Sequence, residues 1–254
     1  MNFVPLFVTL RTQQIKRLGR GLLFTLLPAM TLLASTSVIA QSITAADDGT
    51  ATVVTQDGQR FVIDGGTLSG DGENLFHSFE QLGLSANEIA TFLSDPSIQN
   101  ILGRVIGGEP SFINGLLQVS GGDSNLFLMN PAGIVFGADA RLDLSGSFSG
   151  TTATGIEFAD GWFDAIADND YVGLTGDPTA FLFGVDEPGA IINAGTLAVP
   201  EGEGVSLVGG TVINTGTIEA PGGQISVTAV PGTSRVRLEQ PGWVVGLEVD
   251  VAQL

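Results

Sequence analysis

The 254 residues include 36 Gly, no Cys and one His, carry a net charge of -18, and are 43% apolar with a mean hydropathy of +0.34. That length fits one large domain or two small ones. The apolar content is ample for a core, so the high Gly share marks a turn-rich fold and not a disordered chain. Beyond position 40 there is no Lys, only five Arg against 27 acidic residues, which excludes a nucleic-acid or anionic-lipid binder because phosphates would be repelled.

The first forty positions carry Arg11, Lys16, Arg17 and Arg20, then an apolar run over 21–33, then small and polar residues ending in Val38 and Ala40. A basic region, an apolar region and small residues at the -3 and -1 places predict a signal peptide over 1–40, cleaved between Ala40 and Gln41. The arginines are not adjacent, which favours the general export route over the twin-arginine one. Pro28 and the hydroxyl-rich end weaken a membrane span, and a lipoprotein anchor lacks its Cys. The inner membrane is therefore met only through the signal peptide. The mature part enters an oxidising compartment without disulfides, which suits a large core and also passage through a pore as a single thread.

Thr52–Thr55 and Arg60–Ile63 flank Asp57-Gly58 and predict a β-hairpin. A Gly/Asp/Ser turn region over 65–72 precedes a short strand over Asn74–Phe79. Residues 85–103 predict a helix: Ser85 and Glu88 have capping-box spacing, and Ile89, Phe92 and Leu93 recur at helical intervals up to Asp95-Pro96. That helix reads as a lid within an N-terminal β cap over 41–103.

From about 104 to 254 short strands alternate with Gly, Asn, Asp and Pro. Ile192-Asn193-Ala194-Gly195-Thr196-Leu197 returns as Ile213-Asn214-Thr215-Gly216-Thr217-Ile218, with a weaker echo at Ile113–Leu117. A period near 20 with a turn-forming Asn-x-Gly reads as a solenoid. The period-two Val, Ile, Leu and Phe pattern, with no room for a helix between strands, favours a parallel β-helix of about seven coils over a leucine-rich repeat or a β-sandwich. In such a stack Asn193 and Asn214 form an amide ladder.

The segment from Asn125 to Leu142 reads as strand, tight turn, strand, with Asn130, Pro131 and Gly133 at turn-preferred places and Ala132 and Ile134 completing the motif. It resembles the haemagglutination-activity domain of two-partner secretion exoproteins, the filamentous-haemagglutinin type, whose hallmark is an N-P-N-G-I turn between apolar strands. The blocks Asn74–Glu80, Asn100–Val105, Pro110–Gly115 and Gly146–Phe148 extend the resemblance in order, over roughly 45–160. Ala132 stands where many members have Asn, and the upstream N-P-N-L motif has no counterpart. Such exoproteins run far beyond this domain, so the chain reads as a fragment or a short member.

The resemblance implies an all-β fold, a right-handed parallel β-helix. It also implies a partner, an outer-membrane β-barrel transporter whose periplasmic domains recognise the chain, with Asn130, Pro131, Ala132, Gly133 and Ile134 as the recognition motif. The product reaches the cell surface or medium by way of the periplasm of a Gram-negative-type envelope, as part of an adhesin-like protein with a host or cell-surface carbohydrate or protein ligand. The rival is a small secreted β-helical carbohydrate-active enzyme, which needs clustered carboxylates with a nearby base. Asp160, Asp164, Asp168 and Asp170 cluster, but the next basic residue downstream is Arg235. Asp168–Asp170 fails the EF-hand spacing, and His77 alternates with Leu75 and Phe79 as a core residue would. No enzyme activity, metal or cofactor is expected. The exported protein should begin at Gln41, which its intact mass or N-terminal sequencing checks.

Overall fold

The computed structural model describes residues 43–239 and the strand Val244–Glu248, so the expected signal peptide and the Ala40–Gln41 junction lie outside the described residues. Six strands stack in parallel as sheet 1: Asn74–Gln81, Asn100–Val105, Asn125–Met129, Phe148–Thr151, Val205–Gly209 and Ile225–Ala229. Sheet 2 stacks Arg60–Gly65, Ile89–Leu93, Leu116–Ser120, Arg141–Asp143, Thr196–Ala198 and Thr217–Glu219. Sheet 3 stacks Ser111–Ile113, Ile134–Phe136, Ala190–Asn193 and Thr211–Asn214, with Leu84 bridging to Ile113 in the first coil. The chain visits sheets 1, 3 and 2 in turn, which makes the expected parallel β-helix. The hairpin Thr52–Asp57 with Arg60–Gly65 forms as its sequence predicts.

The period of 21 belongs only to the last coils. Ile192 pairs with Ile213 and Val205 with Ile225, but Leu75 pairs with Ile101, 26 residues on. Among the described residues sheet 1 accordingly has six stacked strands, only four of them after residue 105, where the sequence pattern predicts about seven coils. Asn193 and Asn214 do stack, the first donating its amide N–H to the second at 2.7 Å. The echo at Asn114 is displaced by one place, because Ile113 pairs with Phe136, which itself pairs with Asn193.

The capping helix is absent. Ile89–Leu93 is a strand of sheet 2 and Asn100–Val105 a strand of sheet 1. The Ser85–Glu88 contact exists, with the Ser85 N–H donating to the Glu88 carboxylate at 2.6 Å, but Asn87 at φ 68 ends the turn there. Ala90 and Phe92 point into the core at period two, and five residues are too few to separate that period from a helical one. Parallel stacking thus begins at Arg60 and Asn74, well before residue 104.

A second departure lies between Thr151 and Ala190. Gly155–Phe158, Gly161–Asp164 and Ala180–Phe183 leave the helix and join Ser234–Glu239 and Val244–Glu248 in an antiparallel side sheet. Sheet 1 therefore has two buried faces. Leu75, Phe79, Ile101, Leu126, Phe148 and Val205 line the helix interior with Ile63, Phe92, Leu117 and Phe136. Phe76, Leu102, Phe127, Met129 and Val208 pack outward against Phe158, Phe163, Phe181, Phe183 and Val236. Burial on both faces accounts for the near-continuous apolar runs of these strands.

His77 lies inside the first coil, fully buried, with neither ring nitrogen hydrogen-bonded. It sits against Phe79 and Phe92, and so close to the Gly66 backbone that a Cβ there would lie 2.9 Å from its ring. Burial lowers its pKa from 6.5 to about 4, with the Asp64 carboxylate pulling weakly the other way. The imidazole is neutral in the fold, so no penalty exists above pH 6.5. As pH falls from there towards 4, the unfolded chain binds a proton that the folded one does not, and stability drops by about 3 kcal/mol. His77→Leu should remove that part of the acid lability, read as the difference between the two proteins in denaturant midpoint at pH 7.5 and pH 4.5.

Candidate functional site

The motif at 130–134 forms the corner between sheets 1 and 3 in the third coil. Met129 ends its strand, and the Asn130 N–H donates to the Thr151 carbonyl of the next coil at 3.0 Å. The Gly133 N–H closes the turn on the Asn130 carbonyl at 3.0 Å, while the Asn130 side-chain oxygen accepts from the Ala132 N–H at 3.0 Å. This is the arrangement for which Asn is favoured at the first place of a turn. Gly133 has φ +128, a conformation that disfavours any side chain. Ile134 then points into the helix interior.

Neighbouring coils wall the turn on both sides. The Asn130 amide donates to the Glu109 carbonyl and the Ser111 hydroxyl, each at 3.0 Å, and the Ser111 N–H donates to the Gly133 carbonyl. On the other side, a Cβ at Gly189 would lie 2.4 Å from the Pro131 carbonyl. Asn130 is 1% exposed, and Pro131 and Ala132 are half-buried. Every polar atom of the Asn130 side chain is spent on the fold, so the folded domain offers a partner only the edges of Pro131 and Ala132. Ala132 makes its contact through its backbone N–H, so the departure from Asn at this place leaves the turn intact.

The other candidates do not assemble with it. His77 is in the first coil's interior. The Asp164 carboxylate accepts the Ile166 and Ala167 N–H groups, each at 2.8 Å, and so shapes its own loop. Among the described residues no group of three His, Cys, Asp or Glu side chains is placed to hold a metal ion. A concavity of about 650 Å³ at the corners between sheets 2 and 1 contains one carboxylate, Asp123, with Gln99, Ser120 and Ser145. A lone carboxylate lacks the second acid or base of glycoside chemistry.

Two features escaped the sequence. Asn74, Asn100 and Asn125 form an amide ladder at the entry to sheet 1, with each donated bond 2.9 Å long. Arg104, 3% exposed, pairs with Asp48 at 2.8 Å. Burial alone would raise the Asp48 carboxyl, but hydrogen bonds from Ser78, Thr50 and Arg104 lower it to about 2. The available signal was the charge itself, an Arg inside the apolar run Asn100–Val105, since buried charges are paired.

A family model described as the TPS secretion domain matches residues 39–251. Among solved structures, the HMW1 secretion domain from Haemophilus influenzae matches at 23% identity with a TM-score of 0.57, over 83% of this chain and 48% of that one. The filamentous hemagglutinin secretion domain matches at 18% identity with a TM-score of 0.43, over 78% of this chain and 65% of that one. The chain thus spans less than two thirds of the length of either. No curated protein sequence matches it. The HMW1 comparison agrees with the parallel β-helix described above.

Asn130→Ala should cost about 2–3 kcal/mol, since it leaves the Ala132 N–H and the Glu109 carbonyl without their partner. A fall in melting temperature of roughly 5–10 °C would register this. Ala132→Asn should leave the melting temperature nearly unchanged.

Proposed function

Because the chain belongs to the family of two-partner secretion (TPS) domains, we propose that it directs an exoprotein to a dedicated outer-membrane β-barrel transporter. On this reading residues 1–40 take the chain to the periplasm and are removed there. Periplasmic domains of the transporter then recognise the unfolded mature chain, which passes through the barrel and folds outside as a non-catalytic β-helix. The family match through the whole coil region, residues 39–251, carries the reading.

Physical features support it. The chain has no Cys, so no cross-linked loop has to be threaded. The periplasm holds no ATP, and folding at the exit supplies a free-energy bias outward. Asn130 is fully used by the fold, so a partner that reads the motif meets it in the unfolded chain, where adding an extended segment to a sheet edge is a fitting contact mode. An adhesin-like role, with a host or cell-surface carbohydrate or protein as ligand, belongs to the same reading and to the complete exoprotein. The alternative, a small secreted β-helical carbohydrate-active enzyme, is not favoured, because the concavity is lined by one carboxylate, Asp123, and by no Lys, Arg or His.

The test measures residues 41–254 in the medium of cells with and without the cognate barrel, after signal-peptide cleavage is confirmed in both. Appearance outside only with the barrel is expected, and equal amounts in both would overturn the reading. Within that assay, Asn130→Ala with Pro131→Ala should reduce secretion at least tenfold. Leu197→Ala, a core variant chosen for a comparable stability loss of about 2–5 kcal/mol, should reduce it far less. Equal effects would make the turn structural and nothing more.

A further inference from the structure

The outer face of sheet 1 is apolar from the first coil onward, yet the residues that cover it come much later in the chain. The Phe76 ring lies 5.9 Å from that of Phe158, 5.0 Å from that of Phe163 and 5.2 Å from that of Tyr171. Leu102, Phe127 and Met129 share the same cluster with Phe181 and Phe183. A solenoid whose coils touch only their neighbours would leave the first coils independent of anything so distant in sequence.

Polar bonds tie the same segments together. The buried Arg104 donates to Ser78 at 3.0 Å, to the carbonyls of Asp164 and Ala167 at 2.7 Å each, and to Asp48 at 2.8 Å, and it lies 5.7 Å from the centre of the Phe163 ring. Asn74, at the head of the amide ladder, donates to the carbonyls of Leu174 and Gly176 at 3.0 and 2.8 Å. The Gly176 N–H donates to the Asp71 carboxylate at 2.8 Å, and the Gly70 N–H to the Val172 carbonyl at 3.0 Å. The hydroxyls of Thr50 and Tyr171 are 2.9 Å apart. Without the excursion over 152–189, the Arg104 guanidinium would lose two of its four acceptors and the Asn74 amide both of its own, and buried donors left unpaired are costly.

We propose that residues 152–189 are a clasp that joins the first two coils and the side sheet into one cooperative folding unit, so that the first coils do not hold their native form until the excursion has docked. Growth coil by coil from the N-terminus is then forbidden at the first step. The consequence for export rests on the proposed passage of an unfolded chain: a chain of which only part is free keeps its first coils open, and docking of the clasp commits the domain to its fold. The coupling itself is a property of the purified domain and is measured without a transporter.

The test is native-state hydrogen exchange of residues 41–254, read by mass spectrometry at rising denaturant. Amides over 74–105 and 155–183 should lose protection together, at one denaturant concentration and with one dependence on it. Loss of protection over 155–183 at lower denaturant, with 74–105 still protected, would overturn the proposal. Phe181→Ala, remote from the Arg104 bonds, should accelerate exchange in both segments by one common factor, on the order of several hundredfold to a few thousandfold. If that protein does not fold, Tyr171→Phe removes only the bond to Thr50 and should accelerate both by a common factor of roughly five. Acceleration confined to 155–183 in either variant would also overturn it. Coupled exchange together with barrel-independent secretion would retain the clasp and remove the secretion reading.

Discussion

The registered parallel ladder is the constraint on which everything else depends. Each strand lies about 4.8 Å from its equivalent one coil on, so each corner must pass its predecessor at that distance. At many corners this leaves no space for a side chain. A Cβ would lie 2.1 Å from the Glu80 carbonyl at Gly107, 2.1 Å from the Ser94 carbonyl at Gly121 and 1.9 Å from the Glu203 carbonyl at Gly223. The Gly content is thus a record of stacking contacts more than of flexibility. Stacking also places like residues over like, which suits an amide, being donor and acceptor at once, and penalises a repeated charge. Asn74, Asn100 and Asn125 take the first option. On the outer face of sheet 2 the chain avoids the second, because Val62, Thr91, Gln118 and Asp143 stack in register, and the one carboxylate among these four accepts from the Gln118 amide beside it.

The same ladder creates a problem that the side sheet solves. Parallel strands are stable when covered on both faces, and the helix interior covers only one. Sheet 2 turns a half-polar outer face to solvent and sheet 3 a narrow apolar row of Phe112, Val135, Ile192 and Ile213, whereas sheet 1 carries Phe76, Leu102, Phe127 and Met129 outward into a second buried cluster. The excursion after Thr151 supplies the missing layer, and Ser234–Glu239 completes it by pairing with Ala180–Phe183. Placing the cover late in the chain makes the protein a two-core domain with long-range closure, although its coils look like independent repeats.

Legibility in the sequence followed the range of the interaction. The 52–65 hairpin and the Asn193–Asn214 stack are local or strictly periodic, and both were readable. Ile89–Leu93 was not, because a five-residue strand in the narrow space between two corners satisfies a helical interval by chance and Ser85 with Glu88 closes a turn as readily as a helix. The side sheet was invisible for another reason. Gly155–Phe158 alternates like any coil strand, and its partners Phe163 and Phe181 can be named only once the antiparallel pairing is seen. For the motif at 130–134, residue types announced the turn, but the burial of Asn130 depends on Glu109 and Ser111 from the preceding coil.

That burial places two demands on one side chain, and they are compatible only if they act at different times. In the folded domain the Asn130 amide is committed to Glu109, Ser111 and Ala132, leaving nothing for a partner. On the proposed route the transporter binds the chain before those bonds exist, so folding and recognition compete for the same atoms. Anything that binds only the unfolded chain opposes folding by mass action, and folding outside withdraws the motif from that equilibrium. A bond network that is purely structural in the final state thereby favours release from the transporter, and the coils that wall the turn on either side make the withdrawal cooperative with the fold as a whole.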